Sequence, residues 1–217
     1  MILYGSSLSP FVRKVLAFAA EKSIELDLKP TGDAPGQPGP EFLAASPLRK
    51  MPALVDGDFN LADSSAIIQY LEALHPEPNL IPTEPRARGR TIWFEEYGDT
   101  VLMTCGGKIF FNRVVAPTFL GRDGDSAIAD AAERDELPPI MEYLETVVPE
   151  SGFLVEDRIT LADIAIASPL ANLPYMGCRI DEQRYPRLAR YAESILSRPS
   201  FAPWIERETQ LLAKLAA

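Results

Sequence analysis

Apolar and polar positions change their rhythm once along this chain. Through residue 75, short apolar runs alternate with amphipathic stretches, whereas beyond residue 86 only the helical period remains. Residues 2–5, Ile-Leu-Tyr-Gly, are a short apolar run closed by glycine, as a buried strand is. Phe11, Val15, Ala19 and Val12, Leu16, Ala20 then recur at helical spacing to about Lys22. Ser9-Pro10 supplies an N-cap with proline at the first helical position. Residues 25–29 alternate as a second strand, and residues 30–40, rich in Pro and Gly, are predicted to be loop. A short helix fits 41–45 before Ser46-Pro47 breaks it. Residues 53–55 and 59–61 flank Asp56-Gly57-Asp58, a hairpin signal, and Asp63-Ser64 caps a helix over 65–74 that ends at His75-Pro76.

The order β-α-β-α-β-β-α predicts an α/β domain over residues 1–78. Pro76, Pro78, Pro82 and Pro85 mark residues 76–86 as a linker, and an all-helical domain is expected over 87–217. Its first helix is predicted over 87–115 with a kink at Gly106-Gly107, and its second over 127–148 with a bend at Pro138-Pro139. Thr160-Leu161-Ala162-Asp163 has the form of a capping box ahead of an apolar helix over 161–173. Two more helices, near 186–196 and 201–215, are split by Arg198-Pro199. Trp93, Phe94, Tyr97, Met103, Phe110 and Phe111 read mostly as core, and Arg13, Lys14 and Arg49 as solvated surface.

Charge narrows the partners. The formal net charge is −10 and no Lys/Arg block occurs, so nucleic acid and anionic membrane are poor partners. A small anionic ligand needs only local positive charge or a helix N-terminus. The two cysteines, Cys105 and Cys178, are far apart and sit in apolar helical company, which predicts buried thiols rather than a disulfide or a metal site. No basic flank precedes an apolar stretch at the N-terminus, and a cytoplasmic protein is expected. The single histidine, His75, reads as a helix-end residue.

Three segments of the first domain carry candidate chemistry. Ser6-Ser7-Leu8-Ser9-Pro10-Phe11 lies at a strand-to-helix turn, where a serine hydroxyl and the positive helix end would favour a thiolate. Lys50-Met51-Pro52 leads into a strand, and a cis bond there would expose backbone groups to an extended peptide. Asp63-Ser64, at the next helix N-terminus, suits a carboxylate and an ammonium on one ligand.

These segments resemble the cytosolic glutathione S-transferases over nearly the whole chain. The likeness rests on Ser9-Pro10-Phe11, on 46–54 (Ser-Pro-Leu-Arg-Lys-Met-Pro-Ala-Leu), on 61–67 (Leu-Ala-Asp-Ser-Ser-Ala-Ile), on the box opening at Thr160, and on Arg198-Pro199-Ser200-Phe201. The resemblance implies a thioredoxin-like α/β domain followed by an all-α domain, with glutathione as co-substrate and a small hydrophobic electrophile as acceptor. It further implies a homodimer with the first domain of one copy against the helical domain of the other. Carried over, Met51 and a cis Pro52 hold the peptide, Asp63 and Ser64 take its γ-glutamyl end, Lys50 contacts the glycyl carboxylate, and Ser7 and Phe11 complete the contacts. Ser9 is the first candidate to activate the thiol by likeness to serine-type members. Alignment on other members' motifs favours Ser7 or Ser6 instead. No cysteine lies on this loop, which sets the chain apart from cysteine-type relatives, and Ser46 stands where asparagine is usual. Glutathione-dependent isomerisation or dehalogenation, and a non-catalytic binding role, remain the alternatives.

Overall fold

The structure is a computed structural model describing residues 1–34 and 36–216. Residues 35 and 217, within the predicted 30–40 loop and at the end of the predicted helical domain, lie outside the described residues. Four strands, β1 (Ile2–Tyr4), β2 (Asp27–Lys29), β3 (Ala53–Asp56) and β4 (Phe59–Ala62), form one mixed sheet in the order β2-β1-β3-β4. β1 runs parallel to β2 and antiparallel to β3, which pairs with β4 through the predicted hairpin. Gly57 supplies the positive φ (61°) which that tight turn requires. Helices α1 (Pro10–Glu21), α2 (Pro40–Ala45) and α3 (Ser64–Leu74) complete a βαβ-αββα unit. β2 starts at Asp27, two residues later than the alternation suggested, because only three of its residues pair with β1.

The helical part comprises α4 (Pro85–Glu96), α5 (Met103–Phe110), α6 (Ala116–Phe119), α7 (Ser126–Ala131), α8 (Leu137–Val147), α9 (Leu161–Leu170), α10 (Pro186–Leu196) and α11 (Ala202–Ala216). The expected kink at Gly106-Gly107 does not occur: α5 passes through both glycines. The helix widens instead into π-helical turns at Tyr97–Leu102 and Phe111–Val115. At the first of these, Gly98 packs so closely on α9 that a Cβ there would lie 2.6 Å from the Ala165 carbonyl oxygen. That carbonyl is available because Pro169, four residues on, has no N–H to offer it. The expected bend near Pro138-Pro139 takes the form of a π-helical turn, Ala132–Glu136, immediately before α8.

α9 is buried along its whole length and is the axis of the core. Asp163 caps it: its carboxylate accepts the Thr160 N–H (2.9 Å) and also the Leu154 N–H (2.8 Å). Between the two parts, Glu72 of α3 gathers the linker, accepting the backbone N–H groups of Leu80 and Ile81 (3.0 and 3.1 Å) while Lys22 lies 2.7 Å away. Leu161 N–H donates to Leu80 C=O (2.9 Å), so the linker is pinned on both sides. No helix among the described residues is long and apolar enough to cross a membrane.

Candidate active site

Strand register sets the site. Tyr4 at the end of β1 pairs with Ala53 at the start of β3, and Ala53 pairs with Ala62 at the end of β4. On the other side Tyr4 faces Lys29, the last residue of β2. Four segments therefore leave the sheet at one edge: the serine turn, the loop from Pro30, Met51-Pro52 and Asp63-Ser64. Strands are spaced about 4.8 Å apart, so β1 to β4 spans roughly 10 Å. That is about the length of three extended residues.

The Met51–Pro52 bond is cis, as expected, with Pro52 buried and Met51 38% exposed. Ser46, in place of the usual asparagine, closes the loop before it: its hydroxyl donates to Lys50 C=O (2.7 Å) and accepts Lys50 N–H (3.0 Å). The Lys50 side chain is exposed, and its ammonium forms no ion pair among the described residues. Gly5 is needed beside this loop, since a Cβ there would lie 2.5 Å from Val12 Cγ2. Gly5, Ser6 and Met51 face residues 30–34 across an open depression of about 470 Å3. Ser6 is named by the sequence only as an alternative activator, and residues 30–34 only as loop. A Pro/Gly-rich loop carries no periodicity from which its partner could be read.

Ser9 stands at the N-cap of α1, and its C=O accepts the Arg13 N–H (2.9 Å). Contrary to expectation its hydroxyl does not cap the helix, since the Ser9 side chain accepts no backbone N–H. Ser7 is buried, Phe11 is half-buried, and neither Ser7 nor Ser9 spends its hydroxyl on a protein group among the described residues. Asp63, with φ 83°, caps α3 by accepting the N–H groups of Ser65 and Ala66 (3.0 and 3.1 Å). Ser64 opens that helix and is 3% exposed. Ser7, Ser9, Phe11, Lys50, Asp63 and Ser64 share the edge with the depression but do not line it. A cavity of about 900 Å3 between Arg86, Trp93 and Tyr143 lies on α4, α8 and residues 154–156, on no segment of this edge.

The sequence model of the glutathione S-transferase N-terminal domain matches residues 3–79, and that of the C-terminal domain matches residues 113–208. Mouse glutathione S-transferase theta-3 is 31% identical over 89% of this chain and 80% of its own length. The chain belongs to the glutathione S-transferase family. Human glutathione transferase theta-2, solved in complex with glutathione and an unknown ligand, superposes with a TM-score of 0.85 at 25% identity, covering 99% of this chain and 90% of that one. A stringent starvation protein A homolog of Coxiella burnetii is 28% identical over 97% of this chain and 94% of its own.

Electrostatics in this transferase narrow the choice of thiol activator. Tyr4 is buried and its hydroxyl donates to Glu41 (2.7 Å), on the α2 side. That hydrogen bond, with burial, raises its pKa and makes Tyr4 a poor source of a proton. Cys105 and Cys178 are free and buried, and desolvation pushes both thiols up to about 11. Arg13 and Lys14 are not the solvated surface that their sequence position suggests. Both are fully buried, Arg13 against Glu208 and Lys14 against Glu95 and Asp99. Trp93 and Phe111, expected in the core, are 55% and 40% exposed, whereas Phe94 and Tyr97 are buried.

Proposed function

We propose that this transferase moves the thiolate of glutathione onto a small hydrophobic electrophile, with residues 1–78 holding glutathione and residues 87–217 holding the acceptor. The observation that carries this reading is the register row Tyr4–Ala53–Ala62, which puts the serine turn, the cis proline and the α3 N-terminus within a tripeptide's reach. Met51 offers its backbone to the cysteinyl unit, and Pro52 holds the turn. Ser64 and the α3 N-terminus receive the γ-glutamyl carboxylate, Asp63 its ammonium, and Lys50 the glycyl carboxylate. Phe11 and Ser7 border the sulfur. Human theta-2, crystallised with glutathione, supports glutathione as the co-substrate.

Catalysis on this reading is thiolate supply. A free thiol with pKa near 8.5 is only a few per cent ionised at pH 7; lowering it by one unit gives about eightfold more nucleophile, and the gain shrinks once the pKa passes below the pH. Ser9 donates its unspent hydroxyl to the sulfur, with Ser7 next in line. The proton goes to solvent. The sulfur lone pair forms the new C–S bond while the leaving group departs with its electron pair, or while an activated double bond opens. Isomerisation and dehalogenation would use the same thiolate.

A homodimer completes the proposal. Leu48, Phe59 and Leu74 are exposed apolar residues on the first domain, and Trp93 and Val101 on the helical one, which suits domain-to-domain contact between copies. Two buried, unpaired thiols suit a reducing cytoplasm, and transfer of glutathione to small electrophiles suits detoxification. One relative is named a stringent starvation protein A homolog and not a transferase, and the second reading is a non-catalytic interaction role. Retention on immobilised glutathione followed by turnover of a generic aryl halide separates the two. Absence of both rejects the transfer reaction. Ser9→Ala is expected to raise the pKa of the bound thiol, read as thiolate absorbance against pH. An unmoved pKa transfers the role to Ser7 or to the helix end.

A further inference from the structure

Asn172 lies just past the end of α9 and is 2% exposed. Its Nδ2 donates to the carbonyl oxygen of Leu8 at 3.1 Å, across 164 residues of chain. Ser9 N–H donates to Ser6 C=O (2.9 Å), closing a four-residue turn in which Leu8 is the third residue. The Asn172 amide is the only side chain among the described residues that hydrogen-bonds to that turn. The helical domain thereby sets the pitch of the turn, and with it the directions of the Ser7 and Ser9 hydroxyls.

The other end of the same amide is open. Asn172 Oδ1 is buried and accepts no hydrogen bond from any described residue. A buried polar atom left in this way costs on the order of 1–3 kcal/mol. Asn172 is also the one polar side chain lining a narrow cavity of about 10 Å3 beside Pro10, walled by Met103, Phe110, Pro169 and Met176, with Gly106 at its edge. Met103, Gly106 and Phe110 share one face of α5 at helical spacing. No atom lies within 4 Å of where a Gly106 Cβ would stand, so the helix leaves room there. The cavity's volume is about the room of one water molecule, so an acceptor group reaches Asn172 Oδ1 only as the adaptable Met103 and Met176 side chains move aside.

We infer that Asn172 is a positioning residue for the transfer and the polar determinant of its acceptor pocket. Its NH2 holds the serine turn, and its Oδ1 takes a hydrogen bond from a hydroxyl or N–H on a small, otherwise apolar acceptor. The inference rests on the transfer reaction proposed above. Sites that hydrogen-bond a substrate hydroxyl discriminate strongly against the analogue lacking it, because the buried partner is left unpaired.

The test compares wild type, Asn172→Leu and Asn172→Ser, the last too short to reach Leu8 yet small enough for the fold. Thiolate absorbance of bound glutathione is titrated against pH. kcat/KM is then measured for two matched aryl halides, one bearing a hydroxymethyl group and the other an ethyl group. In both variants the thiol pKa is expected to rise by about one unit, kcat at pH 7 to fall about threefold as thiolate is lost, and the KM for glutathione to stay within about twofold. Wild type is expected to favour the hydroxymethyl acceptor about tenfold, and Asn172→Leu to lose that preference. Asn172→Ser covers the case in which the leucine variant does not fold. An unmoved thiol pKa overturns the positioning role, and equal rates on the two acceptors in wild type overturn the polar-determinant role. A wild-type protein that binds no glutathione overturns the transfer reaction and this inference together, whereas a low wild-type thiol pKa beside unaltered variants overturns this inference alone.

Discussion

Arg13 Nη2 lies 2.5 Å from Glu208 Oε2 with both side chains no more than 1% exposed, so a buried ion pair ties the first helix to the last. The pairing is two-pronged, with Arg13 Nε 3.2 Å from Glu208 Oε1. Arg13 Nη1 donates to Ser168 C=O (2.6 Å), and the Tyr175 hydroxyl donates to Glu208 (3.0 Å). Two charges taken out of water cost several kcal/mol each, and only such complete partnering offsets that cost. The pair sits one turn after the serine turn and holds α1 against α9 and α11.

Removing one partner alone should therefore be severe. Glu208→Ala is expected to lose about 3–5 kcal/mol in urea unfolding, because the guanidinium stays buried without its counter-charge. The double change Arg13→Met with Glu208→Leu should recover most of that loss. A single variant losing under about 1 kcal/mol would show that water reaches the pair.

Glycine has two different purposes within one helical run, and substitution should separate them. At Gly98 a Cβ would meet the Ala165 carbonyl at 2.6 Å, backbone against backbone. Gly98→Ala is expected to destabilise by about 1–3 kcal/mol, since neither helix can retreat without repacking α9. At Gly106 the same methyl group meets nothing within 4 Å. Gly106→Ala should stabilise by up to about 1 kcal/mol through helix propensity, while raising the acceptor KM by narrowing the cleft. Thermal unfolding of the pair of variants, with kinetics on the second, checks both signs.

These positions also show which parts of the molecule the sequence made legible. The Asp56-Gly57-Asp58 hairpin, the cis Met51–Pro52 bond and the Asp63 cap on α3 are each decided within a few residues, and all are present. Arg13 and Lys14 lie on an amphipathic helix whose neighbours suggest a polar face. Their burial depends on Glu208, 195 residues away, and on Glu95 and Asp99, 81 and 85 residues away. Gly106-Gly107 looked like the weak point of its helix, yet the departure from α geometry begins at Tyr97, where Gly98 touches a different helix. Asn172 carries no motif, and only the fold brings it to Leu8. Local chemistry was readable, whereas contacts between helices far apart in sequence were not.

Asp163 gives the protein a pH dependence of defined sign. Burial pushes its carboxyl up to about 6, outweighing the hydrogen bonds it accepts from Leu154, Thr160 and Tyr191. In the unfolded chain an aspartate titrates near pKa 3.9. The fold thus favours the protonated form, and the contribution of this group to stability grows as pH falls through 6 and levels off below about 4. Between pH 7 and pH 5 the gain is roughly 1.4 kcal/mol. Asp163→Asn is neutral throughout and lacks that slope. Its deficit relative to wild type, measured by urea unfolding, should therefore be about 1 kcal/mol larger at pH 5 than at pH 7. The opposite slope is what a carboxylate stabilised by its cap would produce, with hydrogen bonding to the α9 N-terminus exceeding the cost of burial. A deficit that shrinks toward pH 5 would therefore reverse the balance of forces assigned to this residue.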